Sequence, residues 1–234
     1  MTTPDWLERT SLLMGPDKME RFRRAHVLVV GTGGVGAYAA EMLVRAGIGR
    51  LTLLDADRVQ PSNINRQLCA LHSTVGEEKV RVLGLRFKDI NPELDLTVRA
   101  EFLEEHSASA LLDSAKFDFI VDAIDTIAPK CALIEEAMKR RIRIVSSMGA
   151  GAKTDITQIR FADLWETFHC GLRTRLKRDG MRRPLPVVFC AQQADPAALV
   201  QVEGERNKKT TTGTVSYMPA VFGCYLAQYV ISRL

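Results

Sequence analysis

His26-Val27-Leu28-Val29-Val30-Gly31-Thr32-Gly33-Gly34-Val35-Gly36 decides the fold. A mostly apolar run of strand length meets a cluster of glycines. A helical pattern then occupies 34–46 and stops at Gly47. Glycines at this junction permit a tight turn and close approach of a phosphate to the main chain. Free N–H groups at the helix start then attract the anion. Taken alone, Gly-x-Gly-x-x-Gly points most often to NAD or FAD.

Downstream of the glycines the pattern alternates. Strands are expected at 51–54, 94–99, 117–121 and 142–147, and helices at 77–90, 106–114 and 129–140. Such alternation argues for the α/β class: a Rossmann-like, doubly wound, mostly parallel sheet with its nucleotide site at the carboxyl ends of the strands. After Ser147 the pattern changes. A small-residue loop at 146–151 leads to a strand at 157–161, a basic stretch at 169–186 and a strand at 186–190. The polar stretch 192–214 is expected as a mobile crossover loop, and 217–234 as a closing helix. Residues 1–25 read as a helical arm. Its expected buried contacts are Trp6, Leu7, Leu12, Leu13, Met19 and Phe22. With no internal repeat or low-complexity linker, 1–234 reads as one domain. It divides into the arm, a nucleotide-binding core at 26–150 and a substrate-side subregion at 151–234.

Bulk properties bound the function. The chain has 234 residues, 46% of them hydrophobic, and a net charge of +4, which permits a polyanionic partner without demanding one. No charged segment precedes an apolar leader, so secretion is not expected and a cytoplasmic location is. The apolar tail 218–231 is broken by Gln228 and falls short of the ~20 residues of a spanning helix, so no stable membrane insertion is expected. Five cysteines, Cys69, Cys131, Cys170, Cys190 and Cys224, form no Cys-x-x-Cys pair, which argues against a four-thiolate zinc site.

Four further segments separate nucleotidyl chemistry from hydride transfer. Asp55, at the end of the second strand, is placed to accept bonds from ribose hydroxyls. Arg66 and Lys79 bring two cations to the same strand ends. A dinucleotide needs no such pair. A triphosphate does, because charge builds on the leaving pyrophosphate when the α-phosphate is attacked. Asp125 follows the fourth strand and is placed to hold Mg²⁺, which takes one or two carboxylates plus phosphate oxygens. Singly, Lys79 also reads as a solvated helix residue, and Asp122 or Asp125 as a cap of the following helix. No substrate domain or acid–base pair for a dehydrogenase is visible.

The ordered set resembles the adenylating, E1-like family of ubiquitin-activating enzymes and of the bacterial activators of the molybdopterin and thiamine sulfur carriers. The resemblance rests on Gly31-x-Gly33-Gly34-x-Gly36, Asp55-x-Asp57, Ser62-Asn63-x-x-Arg66-Gln67, Thr74-Val75-Gly76-x-x-Lys79 and Asp122-x-x-Asp125, and covers about residues 9–150. It implies an ATP–Mg²⁺ site built from Gly31, Gly33, Gly34, Gly36, Asp55, Asp57, Asn63, Asn65, Arg66, Lys79 and Asp125. Asp125 would be the metal ligand. The implied catalytic groups are Arg66, Lys79, Asp125 and Arg9. Arg9, ahead of Leu12-Leu13-x-Gly15, matches an arginine that the family sends into the partner subunit's ATP site, which implies a homodimer.

The second half narrows the resemblance. Asp122-Ala123-Ile124-Asp125 with Pro129-Lys130, then Gly149-Ala150-Gly151-x-Lys153-Thr154-Asp155, Asp163-Leu164 and Pro186-Val187-Val188-Phe189 resemble the tRNA threonylcarbamoyladenosine dehydratase branch. That branch cyclises the modified adenosine at position 37 of tRNA through an acyl-adenylate. The implied partner is tRNA, and the basic run 173–183 fits its phosphates. Sulfur-carrier activators carry two Cys-x-x-Cys pairs, and none is present. Activation of a ubiquitin-like carrier stays the first alternative, and a nucleotide-binding scaffold without chemistry the second. A thioester on Cys170 or Cys190, a monovalent cation in the loop 146–151, and a cysteine desulfurase or sulfur-acceptor partner also stay open. Residues 190–216 receive no role.

Overall fold

The structure, a computed structural model, describes residues 4–168, 171–201 and 210–234. A single turn at Asp5–Leu7 leads into α1 (Glu8–Met14) and α2 (Pro16–Arg24). Then come β1 (His26–Val30), α3 (Gly36–Arg45), β2 (Arg50–Leu54), α4 (Lys79–Ile90) and β3 (Asp95–Arg99). They are followed by α5 (Ala108–Asp113), β4 (Phe119–Asp122), α6 (Ile127–Lys139) and β5 (Arg143–Ser147). The remainder holds β6 (Ile159–Asp163), α7 (Gly171–Arg178), β7 (Pro186–Cys190), β8 (Leu199–Gln201), β9 (Thr210–Thr212) and α8 (Tyr217–Arg233).

Seven strands make one sheet in the order β3-β2-β1-β4-β5-β7-β6. All neighbours run parallel except β6, which pairs antiparallel with β7 at the edge. Strand order reverses between β1 and β4, so a crevice opens at their carboxyl ends, where doubly wound sheets bind ligands.

Burial explains the strands. Every residue of β1 is buried, as a parallel strand covered on both faces requires. Its side chains alternate between two cores. Val27 and Val29 join Phe22, Phe87 and Phe222 on one face. Leu28 and Val30 join Leu111, Leu133 and Leu176 on the other. Helix α8 lies directly on α3: a Cβ at Gly223 would fall 2.5 Å from the Val35 carbonyl oxygen. Glycine is what permits that approach.

Three expectations need correction. The N-terminal arm is two helices, because Gly15 takes a φ of 78° and Pro16 opens a new helix at its first position. Leu7 and Phe22 are buried and Met19 is half-buried, but Trp6, Leu12 and Leu13 are 41%, 79% and 80% exposed. Helix α1 buries no residue of its own. Second, α6 begins two residues before Pro129, which sits in the first turn where its missing N–H has no partner to lose. Third, 192–214 is not wholly irregular. Asp195 caps a turn at Pro196–Ala198, and β8 pairs antiparallel with β9. Residues 202–209, and Cys170, lie outside the described residues.

Candidate active site

The crevice holds a cavity of about 520 Å³. The β1 turn, the β2 end, the 57–67 segment, the start of α4 and the β4 end build its walls, and Thr211 and Thr214 close it from the far half of the chain. Gly31, with a φ of 85°, makes the turn, and a Cβ there would meet the Ala123 carbonyl oxygen at 2.6 Å. Gly33 and Gly34 face the cavity. Gly36 does not: a Cβ there would fall 1.8 Å from the Gly31 carbonyl oxygen, so it keeps turn and helix in contact from beneath.

Asp55 has two tasks. Its Oδ2 accepts from the Thr32 main-chain N–H at 2.6 Å and from Thr32 Oγ1 at 3.1 Å, and Oδ1 accepts from the Asp57 N–H at 2.8 Å. A carboxylate offers about four lone-pair sites. Three are used in shaping the glycine turn, which leaves room for a ribose hydroxyl.

Two cations line the same cavity. Lys79 opens α4, is almost fully buried, and donates to Asp57 Oδ2 at 2.7 Å. Arg66 is half-buried and donates to Asn65 Oδ1 at 2.8 Å and to the Ser62 carbonyl at 3.0 Å. It has no carboxylate partner among the described residues, and burial lowers its pKa below the usual guanidinium value. Both cations are therefore held at the cavity edge, and Arg66 has no local counter-charge. Asn63 is buried, and its Oδ1 accepts from the Gln60 N–H. Asn65 does not line the cavity. It braces Arg66 and donates to the Thr214 carbonyl at 2.9 Å.

The two aspartates after β4 part company. Asp122 is fully buried. It pairs with Lys130 Nζ at 2.8 Å and accepts from Ser146 Oγ at 2.6 Å and the Ile124 N–H at 3.1 Å. Lys130 also donates to the Ile124 carbonyl. Asp122 is thus neutralised and committed to the fold. Asp125 is exposed on the cavity wall. Among the described residues no group of three or more metal-ligating side chains exists. One carboxylate with phosphate oxygens suits Mg²⁺, which keeps most of its waters.

Gln67 closes the Ser62-Asn63-x-x-Arg66-Gln67 string beside Arg66. It lines the cavity, is 9% exposed, and its Oε1 has no hydrogen-bond partner among the described residues. A buried, unpaired carbonyl at a cavity wall calls for a donor from a ligand, such as a nucleotide amine or hydroxyl. Arg9 is exposed on α1 and outside this cavity.

Residues 7–234 match the family model described as the ThiF family. The chain belongs to the ThiF family. The tRNA threonylcarbamoyladenosine dehydratase of Bacillus subtilis strain 168 is 35% identical over 241 residues, covering 97% of this chain and 93% of that protein. The protein of that name from Escherichia coli K12 is 41% identical over 181 residues, or 74% of this chain and 67% of that one. The crystal structure of E. coli tRNA N6-threonylcarbamoyladenosine dehydratase in complex with ATP has a TM-score of 0.87 at 31% identity, covering 100% of this chain and 96% of that chain. The likeness within the ThiF family therefore runs through 151–234, the half whose role the motifs left thinnest.

Among the described residues, the thiols give this ThiF-family chain no evident nucleophile. Burial pushes Cys131 up to about 11 and raises Cys69 and Cys224. Cys190 is buried in β7, its thiol directed at the Asp155 carbonyl at 3.6 Å. Among the described residues no helix is long and apolar enough to cross a membrane.

Proposed function

We propose that this chain is an ATP-dependent tRNA threonylcarbamoyladenosine dehydratase, working as one adenylation domain over 1–234 in the cytoplasm. The observation that carries the reading is the cavity at the β1–β4 switch point. It gathers the glycine turn, Asp55, Asn63, Arg66, Lys79 and Asp125 around a volume of about 520 Å³. The full-length likeness to dehydratases supports the substrate class.

The chemistry follows from the charges. The carboxylate of the substrate's threonyl group attacks the α-phosphorus of ATP. A mixed anhydride with AMP forms as the bond to pyrophosphate breaks. The carbamoyl oxygen of the same side chain then attacks the activated carbonyl, AMP departs, and a proton leaves the carbamoyl nitrogen. The ring closes with net loss of one water. The second nucleophile is tethered, so positioning lowers much of that barrier and no protein nucleophile is needed. No sulfur is consumed, so the step itself requires no cysteine desulfurase partner.

Arg66 and Lys79 would meet the charge that grows on the departing pyrophosphate. Lys79 would exchange Asp57 for phosphate. Asp125 would hold Mg²⁺, which when bound would supply charge neutralisation and orientation of the phosphates. Gln67 and Asp55 would take donors from the nucleoside. Ser147 and main-chain carbonyls of the loop 146–151 are oxygen ligands of the kind a monovalent cation takes. Exchange of potassium for tetramethylammonium tests that site.

A homodimer is part of the proposal. Arg9 shares α1 with Leu12 and Leu13, whose exposure is unusual for such side chains and fits burial against a second copy. The arm would then deliver Arg9 to the partner's phosphates. The decisive product test is mass analysis of nucleosides from tRNA incubated with enzyme and ATP. Loss of one water from threonylcarbamoyladenosine supports the reading. Unchanged nucleoside, with turnover on a small protein ending in Gly-Gly, would instead mark a carrier activator.

A further inference from the structure

At the end of the sheet away from the ATP cavity, where β4, β5 and β7 begin, a second cavity of about 320 Å³ opens. Phe119 and Tyr229 contribute to its floor, and Arg141, Arg143, Arg183 and Arg233 to its rim. All four arginines are exposed, and no acidic side chain lines the cavity.

The missing counter-charge is local and specific. The adjacent Arg140 is paired with Asp113 and Glu136, and Arg175 and Arg178 share Asp179. The four rim arginines make no ion pair among the described residues, although four like charges at one rim repel one another.

Three of them are also held in place. Arg143 stacks over the Phe119 ring at 5.2 Å and donates to the Arg233 carbonyl at 2.7 Å. Arg233 stacks over Tyr229 at 3.4 Å and donates to Ser232 Oγ at 3.0 Å. Arg183 donates to the Met138 carbonyl at 3.0 Å, in the last turn of α6. Arg141 sits just past α6 with a φ of 58°. Arg143, Arg183 and Arg233 each commit one or two guanidinium donors to these bonds, and each guanidinium has five. The rest face outward around a common opening.

We propose that this rim is a second, non-catalytic RNA contact that grips the phosphodiester backbone of the tRNA outside the loop being modified. Guanidinium is the side chain best matched to phosphate. Two observations favour an extended polyanion over a small anion. Lys177 and Arg182 precede Arg183 in the chain and make no ion pair among the described residues, so positive charge continues from the end of α7 onto the rim. Helix α6 joins the two sites: Pro129 near its start lines the ATP cavity and Met138 near its end lines the second. Its 13 residues span roughly 20 Å.

The inference rests on tRNA being the substrate, and the test separates the two claims. Full-length threonylcarbamoyladenosine-containing tRNA is titrated against wild type and the Arg141→Gln/Arg183→Gln variant across a salt series. Arg141→Glu serves as a second, single-site variant. The expected result is at least tenfold weaker tRNA binding and a salt slope reduced by about two for the double variant. ATP affinity measured without RNA stays unchanged, and an isolated anticodon loop binds wild type and variant alike. Wild-type turnover with identical affinity and salt slope in both variants would overturn the inference and leave the dehydratase reading standing. Loss of the dimer in the variants would overturn it in favour of a protein interface. Absence of any tRNA binding by wild type would end both claims.

Discussion

Lys79 and Lys130 show two uses of a buried lysine within one site. Lys79 is 4% exposed, yet its partner Asp57 is open to solvent on the cavity side, so a phosphate can replace that carboxylate. Lys79→Met should lower the adenylation rate on the order of 10²-fold or more while leaving stability nearly intact, as read by pre-steady-state kinetics and thermal melts. Lys130 has the opposite profile. Its partner Asp122 is fully buried, so Lys130→Met leaves an unpaired charge in the core and should cost about 3–5 kcal/mol in urea denaturation. Asp55, Arg66, Lys79 and Asp125 were legible because each falls in a recognisable string, Asp55 and Asp125 just past strand ends. The task division between Asp122 and Asp125 was not, because it depends on Ser146 and Lys130 converging in space. Gln67, Thr211 and Thr214 were missed for the same reason. The Asn65–Thr214 contact joins positions 149 residues apart.

At the scale of elements, close approach and one buried carboxylate with two half-exposed guanidiniums hold the site's helices. Helices α3 and α8 touch through Gly223. Gly223→Ala should destabilise by about 1–3 kcal/mol, because the added methyl meets main chain that cannot rotate away. Helices α3 and α4 are tied by Glu41, which accepts from Arg86 at 2.6 Å and from Arg45 at 2.9 Å. Burial alone would raise its carboxyl, but the two guanidiniums prevail and hold it below the usual value of 4.5. A depressed carboxyl adds stability that is fully present above the unfolded value and is lost as pH falls through the folded one. The melting temperature should therefore drop below about pH 4.5, and Glu41→Gln should flatten that acid limb. Element identity was legible from periodicity. Helix starts were not, since Pro129 suits several first-turn positions, and neither was the β8–β9 pair, whose short strands carry little apolar signal.

At the scale of the whole molecule, the parallel sheet and its switch point followed from strand–helix alternation. The antiparallel β6 edge did not, because pairing direction leaves no mark in composition. The α1 leucines stay off the intrachain core, and the dimer proposal has a direct test. Arg9→Ala and Asp125→Ala should each be nearly inactive alone. When the two are mixed and allowed to exchange subunits, activity should return, because one heterodimer site then holds an intact Asp125 and receives Arg9 from its partner. Activity that stays additive in the mixture would mean that Arg9 acts, if at all, within its own chain.

The central claim is that the β1–β4 cavity adenylates a carboxylate carried by tRNA. It is tested most directly by exchange of labelled pyrophosphate into ATP. The acceptors are tRNA bearing threonylcarbamoyladenosine, the same tRNA without the modification, and none. The account predicts exchange with the modified tRNA only, abolished by Asp125→Ala. Exchange without tRNA, equal exchange with unmodified tRNA, or full exchange by Asp125→Ala would contradict it.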